Sequence, residues 1–333
     1  MQIVNREELL NELESVQSGL SPKEIIEQSS CYVFEDGFVM TYNDEVACSR
    51  ECCLKITGAI PAKEFTSILH KLKEDTIKVE EKENEIIIHG KRRRVGIVKE
   101  AEVLLPIKSI DRPEKWKKLD PEFSDAIKLV KKCVSKNEDQ FALTCIHITP
   151  DHIESCDNFQ IARFAVPTKI KKPLLVKQSG LSQVAVLDMT KFSITDSWIH
   201  FKNPTELVIS CRIYLEDFPE LDDILELDGS SVTLPKGLGD AADKASVFAS
   251  DSLDDSQVLI NLKTNKLMIK GSGASGWFKE NKSIKYSGPD IKFLIAPDLL
   301  IEITKNYNDC LITDSRLMVD GGKFKYATCL GAV

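Results

Sequence analysis

Apolar residues along the chain recur at two spacings, and the two alternate. At helical spacing, Leu9, Leu10, Leu13 and Val16 line one face of a segment over 6–18. Phe65, Ile68, Leu69 and Leu72 do the same over 61–73, where Pro61 opens the first turn and Lys63, His70 and Lys73 point outward. A third stripe, Phe123, Ala126, Ile127, Val130 and Val134, follows Asp120 as N-cap and Pro121. Shorter helices are expected over 178–186, 238–249 and, opened by Pro297, 298–305. Runs rich in β-branched residues predict strands over 31–56, 77–105, 141–166, 191–215 and 257–270, and from the last helix to the C-terminus. The order helix, strands, helix, strands therefore occurs three times.

Short-range pattern supports copying. Ile194-Thr-Asp-Ser-Trp-Ile-His-Phe201 and Ile312-Thr-Asp-Ser-Arg-Leu-Met-Val319 both read as strand, polar turn, strand, and they stand 118 positions apart. Ile77 to Ile88, turning at Lys82-Glu-Asn84, occupies the place of a third copy. Phe34, Ile148 and Leu262 each end an apolar strand before a turn, at successive offsets of 114. A two-strand unit cannot bury its apolar face alone, so each hairpin must belong to a larger module. The expected domains are 1–110, 111–227 and 228–333, each of ordinary domain size.

Composition narrows the class. With 42% hydrophobic and 29% charged residues the chain reads as an ordinary soluble globular protein. No apolar run approaches ~18 residues, and Met1 leads straight into an amphipathic segment, so neither a membrane span nor an export signal is expected. Ten scattered cysteines read as small buried hydrophobes. A net charge of −8 argues against wholesale wrapping by nucleic acid but leaves room for a local basic surface.

Candidate chemistry is sparse. Gly271-Ser-Gly-Ala-Ser-Gly276 matches a dinucleotide fingerprint, but the residues after it lack the helical periodicity that mechanism requires, and the repeat register puts it on a strand and turn. Cys48, Cys52 and Cys53 lack the second pair that recognisable zinc sites carry, so no metal is expected. No catalytic constellation or P-loop appears; neither an enzyme nor a cofactor is expected. Lys91-Arg-Arg-Arg94 sits at a hairpin tip, as a solvated turn or a phosphate contact. Lys128, Lys131, Lys132 and Lys136, opposite the third stripe, are expected to project from one rigid helix, as a phosphate-contacting face or a plain solvated one.

Several stretches resemble the bacterial-type DNA sliding clamps, the β subunit of the replicative polymerase, phage-type members included. They are Phe34-Glu-Asp-Gly-Phe-Val-Met-Thr-Tyr-Asn-Asp-Glu-Val-Ala47, Cys156-Asp-Asn-Phe-Gln-Ile-Ala162, Glu216-Asp-Phe-Pro-Glu-Leu-Asp-Asp-Ile224 and Tyr286-Ser-Gly288. The resemblance spans essentially the whole chain. It implies an α+β fold of three repeated clamp domains, two chains closing head-to-tail into a ring with sheets outside and helices inside. It implies a cytoplasmic processivity factor that encircles double-stranded DNA without reading sequence, tethers the replicative polymerase and depends on a clamp-loader ATPase. The DNA-facing positions it implies are Lys23, Lys63, His70, Lys73, Lys128, Lys131, Lys132, Lys136 and Lys177, and the partner-peptide positions are Phe159, Ile161, Pro219, Ile224, Leu330 and Val333. Asn158-Phe159-Gln160 and the tail Cys329 to Val333 depart from the family pattern, which implies an altered peptide preference with an aromatic contact to Phe159. Glu7, Glu8, Glu12 and Glu14 make the first helix acidic where the family tends to be basic. The rival reading is a non-catalytic three-repeat β-rich scaffold that binds no DNA.

Overall fold

The computed structural model describes residues 1–90, 92–110, 113–226, 228–249, 257–313 and 315–330. Its first elements are β1 (Gln2–Asn5), α1 (Arg6–Ser15), β2 (Cys31–Glu35), β3 (Phe38–Tyr42), β4 (Val46–Glu51), β5 (Gly58–Pro61), α2 (Ala62–Lys71), β6 (Thr76–Glu81), β7 (Glu85–His89) and β8 (Arg94–Val98). There follow β9 (Lys117–Lys118), α3 (Phe123–Val130), β10 (Cys145–Ile148), β11 (His152–Cys156), β12 (Gln160–Ala165), β13 (Leu174–Lys177), α4 (Gln178–Val184), β14 (Lys191–Ile194), β15 (Trp198–Lys202) and β16 (Val208–Tyr214). The last are β17 (Ser230–Thr233), α5 (Leu238–Ser246), β18 (Val258–Lys263), β19 (Lys266–Gly273), β20 (Gly276–Ser283), β21 (Ile291–Ile295), α6 (Pro297–Asn306), β22 (Asp309–Ile312), β23 (Arg316–Asp320) and β24 (Phe324–Cys329). Among the described residues, strand, helix, four strands, helix, three strands recurs three times.

Local chemistry sets the helix ends. The Asn5 side chain accepts from Glu8 N at 2.9 Å and caps α1, whose first turn holds Glu7 and Glu8 and whose buried side carries Leu9, Leu10 and Leu13. Pro297 opens α6 at a position whose N–H would have no helical partner. The third stripe is interrupted: α3 stops at Val130, residues 131–133 tighten into a 3₁₀ turn, and Val134 is only half-buried.

Contacts gather the chain into two compact units. The first comprises Met1–Lys131, Cys145–Asp151 and Pro167–Glu216; the second comprises Lys132–Thr144, His152–Val166 and Asp217–Val333. In the first, strands run β5-β2-β3-β4-β16-β13-β10, with β15, β14 and β9 continuing from β16, beside a four-stranded sheet β1-β6-β7-β8. The β4–β16 ladder joins residues far apart in sequence, pairing Cys48 with Ile209 and Val46 with Cys211. Arg212 reinforces it: its guanidinium lies 4.7 Å from the Trp198 ring centroid, and its nitrogens donate to Tyr42 Oη at 3.1 Å and to Asp44 O at 2.6 Å. Within this unit α1 lies against α2, and α3 against α4.

The second unit orders its strands β17-β22-β23-β24-β12-β11, with a separate sheet β20-β19-β18-β21. Here α5 packs against α6 and against β19 through Ala241, Ala242 and Ala245, all fully buried. Helix and strand come so close at Gly271 that a Cβ there would stand 1.9 Å from Ala245 O. The Gly271–Gly276 stretch is a β19–β20 hairpin turn with no helix after it, which accounts for its first glycine by packing.

The repeated hairpins form as the pattern implies: β14 pairs β15, β22 pairs β23 and β6 pairs β7. Asp314, in the turn of the second, lies outside the described residues, as do Lys91 and Leu227.

Candidate functional site

A row of apolar side chains crosses five strands of the second unit. Register pairs Cys156 with Ile161, Ile161 with Ala327, Ala327 with Met318 and Met318 with Leu311, so all five share one face from β11 through β12, β24 and β23 to β22. The segment after β16 covers that row. Leu221 and Leu225, four apart around a 3₁₀ turn, are both 2% exposed, and Phe218 and Leu143 pack at the margin. One ion pair pins this segment: Arg163 on β12 reaches Asp222 at 2.5 Å with Nη1, and its Nε is held by Glu154 of β11 at 2.7 Å.

Beside the row, the turn before β12 is held by Asp157, whose Oδ1 accepts from Phe159 N at 2.7 Å and Gln160 N at 2.8 Å. Phe159 O in turn accepts from Cys329 N at 2.7 Å, and Leu330 N donates to Ser315 O at 2.8 Å. The backbone is thus fixed while the Phe159 ring stays 70% exposed.

Of the peptide positions implied by resemblance, Ile161 and Leu330 are buried, whereas Phe159, Pro219 and Ile224 are exposed; Val333 lies outside the described residues. This corrects the picture of a single partly exposed cluster. Ile161 is a packing residue, and Leu221 and Leu225 occupy the place expected of Ile224. Their four-residue spacing behind Phe218 was the available signal, obscured because the turn is too short to show periodicity.

The basic candidates scatter. Lys23, Lys63, His70 and Lys73 are exposed, and His70 Nε2 meets Glu14 of α1 at 2.9 Å. Lys71, exposed beside His70, was not anticipated. The single helical face for Lys128, Lys131, Lys132 and Lys136 does not exist, because α3 ends at Val130. Lys128 pairs with Asp125 at 3.1 Å and Lys131 is half-buried. Lys132 pairs with Glu302 at 2.6 Å, and that hydrogen bond holds the Glu302 carboxyl below its ordinary range; Lys136 is exposed. Lys177 is a correction of another kind. It ends β13 only 8% exposed, and so offers no charge to a surface. Arg93, in the hairpin-tip run, is engaged by Glu74 at 2.7 Å. Exposed side chains on the helices include Glu7, Glu8, Glu14, Asp125, Asp240, Asp243 and Asp298 against Lys63, Lys71, Lys128, Lys244 and Lys305, so these faces are not strongly basic.

The described residues offer little for catalysis. Burial pushes the thiols of Cys48 and Cys156 up to about 11 and about 12, away from reactive thiolate. His200 Nδ1 lies 2.7 Å from Ser210 Oγ and its Nε2 3.1 Å from Thr195 Oγ1, but His200 and Ser210 are 1% and 5% exposed, out of reach of a substrate. Among the described residues, no helix is long and apolar enough to cross a membrane.

No protein-family model and no curated protein sequence matches the chain. Solved structures do. The DNA polymerase III beta chain from Streptococcus pneumoniae aligns with a TM-score of 0.84 at 13% identity over 99% of both chains. The DNA polymerase sliding clamp from Bacillus subtilis gives 0.83 at 14%, covering 99% of this chain and 98% of that one. The DNA polymerase III subunit beta from Pseudomonas aeruginosa gives 0.79 at 14% over 99% of both. At such identity the likeness is one of architecture, and it runs the length of the chain: this is an α+β protein with the fold of the bacterial DNA sliding clamps.

Proposed function

We propose that the chain is a DNA sliding clamp, a non-catalytic processivity factor of the replication machinery. The observation that carries this reading is the agreement of fold with sliding clamps over 99% of this chain. Three domains, 1–110, 111–227 and 228–333, form half of a ring that a second copy closes head-to-tail. Unpaired strand edges support closure. β8 and β20 each end a four-stranded sheet, and each carries an exposed apolar side chain, Val98 at 67% and Trp277 at 66%. Pairing β8 of one copy with β20 of the other covers both at each of two equivalent joints.

Retention is topological. Among the described residues the exposed helix positions carry more carboxylates than lysines, which disfavours tight electrostatic wrapping and suits sliding: a few phosphate contacts from Lys23, Lys63, Lys73 and Lys136 are weak, sequence-blind and readily exchanged. The polymerase attaches through a short peptide at Phe159, Pro219 and Ile224, beside the buried Ile161 row and Leu330; Val333, which the resemblance adds to this set, lies outside the described residues. A closed ring without its own nucleotide site needs a clamp-loader ATPase to open it on DNA, in the cytoplasm where replication runs. The acidic helix faces favour one rival, the scaffold that binds no DNA. Solution mass with a low-resolution image tests the assembly: a particle of twice the 37.3 kDa chain mass with a central hole is expected, and a solid monomer would refute the ring.

A further inference from the structure

Glu12 is the one glutamate of α1 that turns inward, 8% exposed where Glu7, Glu8 and Glu14 face solvent. Carboxylates are rarely buried without a partner, and Glu12 Oε2 accepts from Cys53 N at 2.8 Å, with the Cys52 thiol also in hydrogen-bonding contact with its carboxylate. The chain bends just after β4, where Cys52 N donates to Gly37 O at 3.0 Å. In a continuing strand the side chains of 52 and 53 would point to opposite faces. Here both thiols and the Glu12 carboxylate instead lie within 4.8 Å of one another. Cys48 is not part of the group, its Sγ lying 3.1 Å from Ser18 Oγ.

We propose that Glu12, Cys52 and Cys53 form a site for a thiophilic divalent cation of the Zn²⁺ class. Two thiolates and a carboxylate are a donor set such an ion accepts, with water as fourth ligand. Zinc–sulfur bonds of about 2.3 Å at a tetrahedral angle place two sulfurs about 3.8 Å apart, so the thiols need to close by at most about 1 Å on binding. Small side chains at 52 and 53 would satisfy packing; packing does not call for two soft donors and an anionic oxygen converging on one point. Cys53 is partly exposed and gives an ion and its water a way in, while Cys52, 2% exposed, forms the floor. Binding releases the two thiol protons to solvent and ties α1 to the loop after β4. The inference is independent of the clamp reading, because neither DNA nor a second chain contributes.

The test uses the full, phosphine-reduced chain and Cd²⁺ alone as probe, followed by its sulfur-to-metal charge-transfer absorbance in the ultraviolet. One Cd²⁺ per chain is expected, displaced by Zn²⁺ and accompanied by a rise in Tm. Cys53→Ser should lose at least half of the band, and affinity should fall roughly tenfold or more. Glu12→Gln keeps an oxygen to accept from Cys53 N, so it should fold and yet lose affinity by a similar factor. Cys329→Ser, at an exposed cysteine outside the group, should bind as the parent does. A missing saturable band, or binding unchanged in both Cys53→Ser and Glu12→Gln, would overturn the site.

Discussion

Replacing Gly271 with alanine tests the closest approach in the second unit. A Cβ at 271 would stand 1.9 Å from Ala245 O, 2.7 Å from its carbonyl carbon and 3.1 Å from its Cα, where ordinary contact begins at 3.4 Å. α5 must therefore withdraw by roughly 1.5 Å from β19, and the obstacle is backbone, not a side chain that can rotate away. Withdrawal is opposed on the other side, where Gly239 of α5 sits so near α6 that a Cβ there would meet Thr304 Oγ1 at 2.6 Å. Overpacking of this kind costs about 1–3 kcal/mol, and a rigid obstacle places it toward the top of that range. Alanine restricts the unfolded chain and returns about 0.5–1 kcal/mol, because Gly271 is not among the positive-φ residues. The net loss is about 2 kcal/mol, or roughly 4–8 °C in Tm for a cooperative unit of this size. Calorimetry on the parent, Gly271→Ala and Gly96→Ala measures it. Gly96 is the control: its Cβ would lie 3.0 Å from the flexible Glu85 carboxylate, so Tm should hold or rise slightly. An unchanged Tm in Gly271→Ala, with the control behaving as expected, would refute the packing argument and reopen a ligand role for the glycines.

Other predictions address the assembly, the peptide site and one ion pair. Trp277→Asp should halve the solution mass without lowering the monomer's Tm, since the ring is 66% exposed on an edge strand; an intact double-mass particle would remove β20 from the joint. Phe159→Ala should weaken a polymerase tail peptide by about tenfold or more, in isothermal titration, with Tm unchanged; equal affinity would move the site elsewhere. Glu302→Gln should cost under about 1 kcal/mol at neutral pH. Because Lys132 lowers the Glu302 pKa in the fold, that difference is present above the ordinary carboxylate range and is lost as pH falls through the depressed folded value; a difference that grew on acidification would contradict the pairing.

The parts legible in the chain were local. Each repeated hairpin is announced by residues within about ten positions, and Pro61 and Pro297 mark helix starts through their own backbone chemistry. What escaped reading was set by distant partners. Nothing near Val46 states that it faces Cys211, nor near Ile161 that it faces Ala327, and these ladders are what gather three sequence segments into two compact units. The resemblance names Lys177 as a surface charge, but it ends β13 opposite Cys145 of β10, directly before α4, and is 8% exposed. The lysine stripe failed at one residue: the pattern carries on to Val134, whereas the helix tightens after Val130, a change in backbone pitch that hydrophobic spacing does not encode. Glu12 hid among exposed glutamates, and only the fold of the loop after β4 brings the two thiols to it.

The central claim is that this chain holds DNA by enclosing it. The direct measurement loads labelled protein onto nicked circular duplex with a clamp-loader ATPase and ATP, removes loosely bound protein at high salt, and then cuts the circle once. Protein retained on the circle and released on linearisation is the predicted result, because the few available phosphate contacts are screened at high salt while the ring is not. Equal retention on circular and linear duplex would contradict enclosure, and no retention on either would leave the chain a scaffold with a clamp's fold.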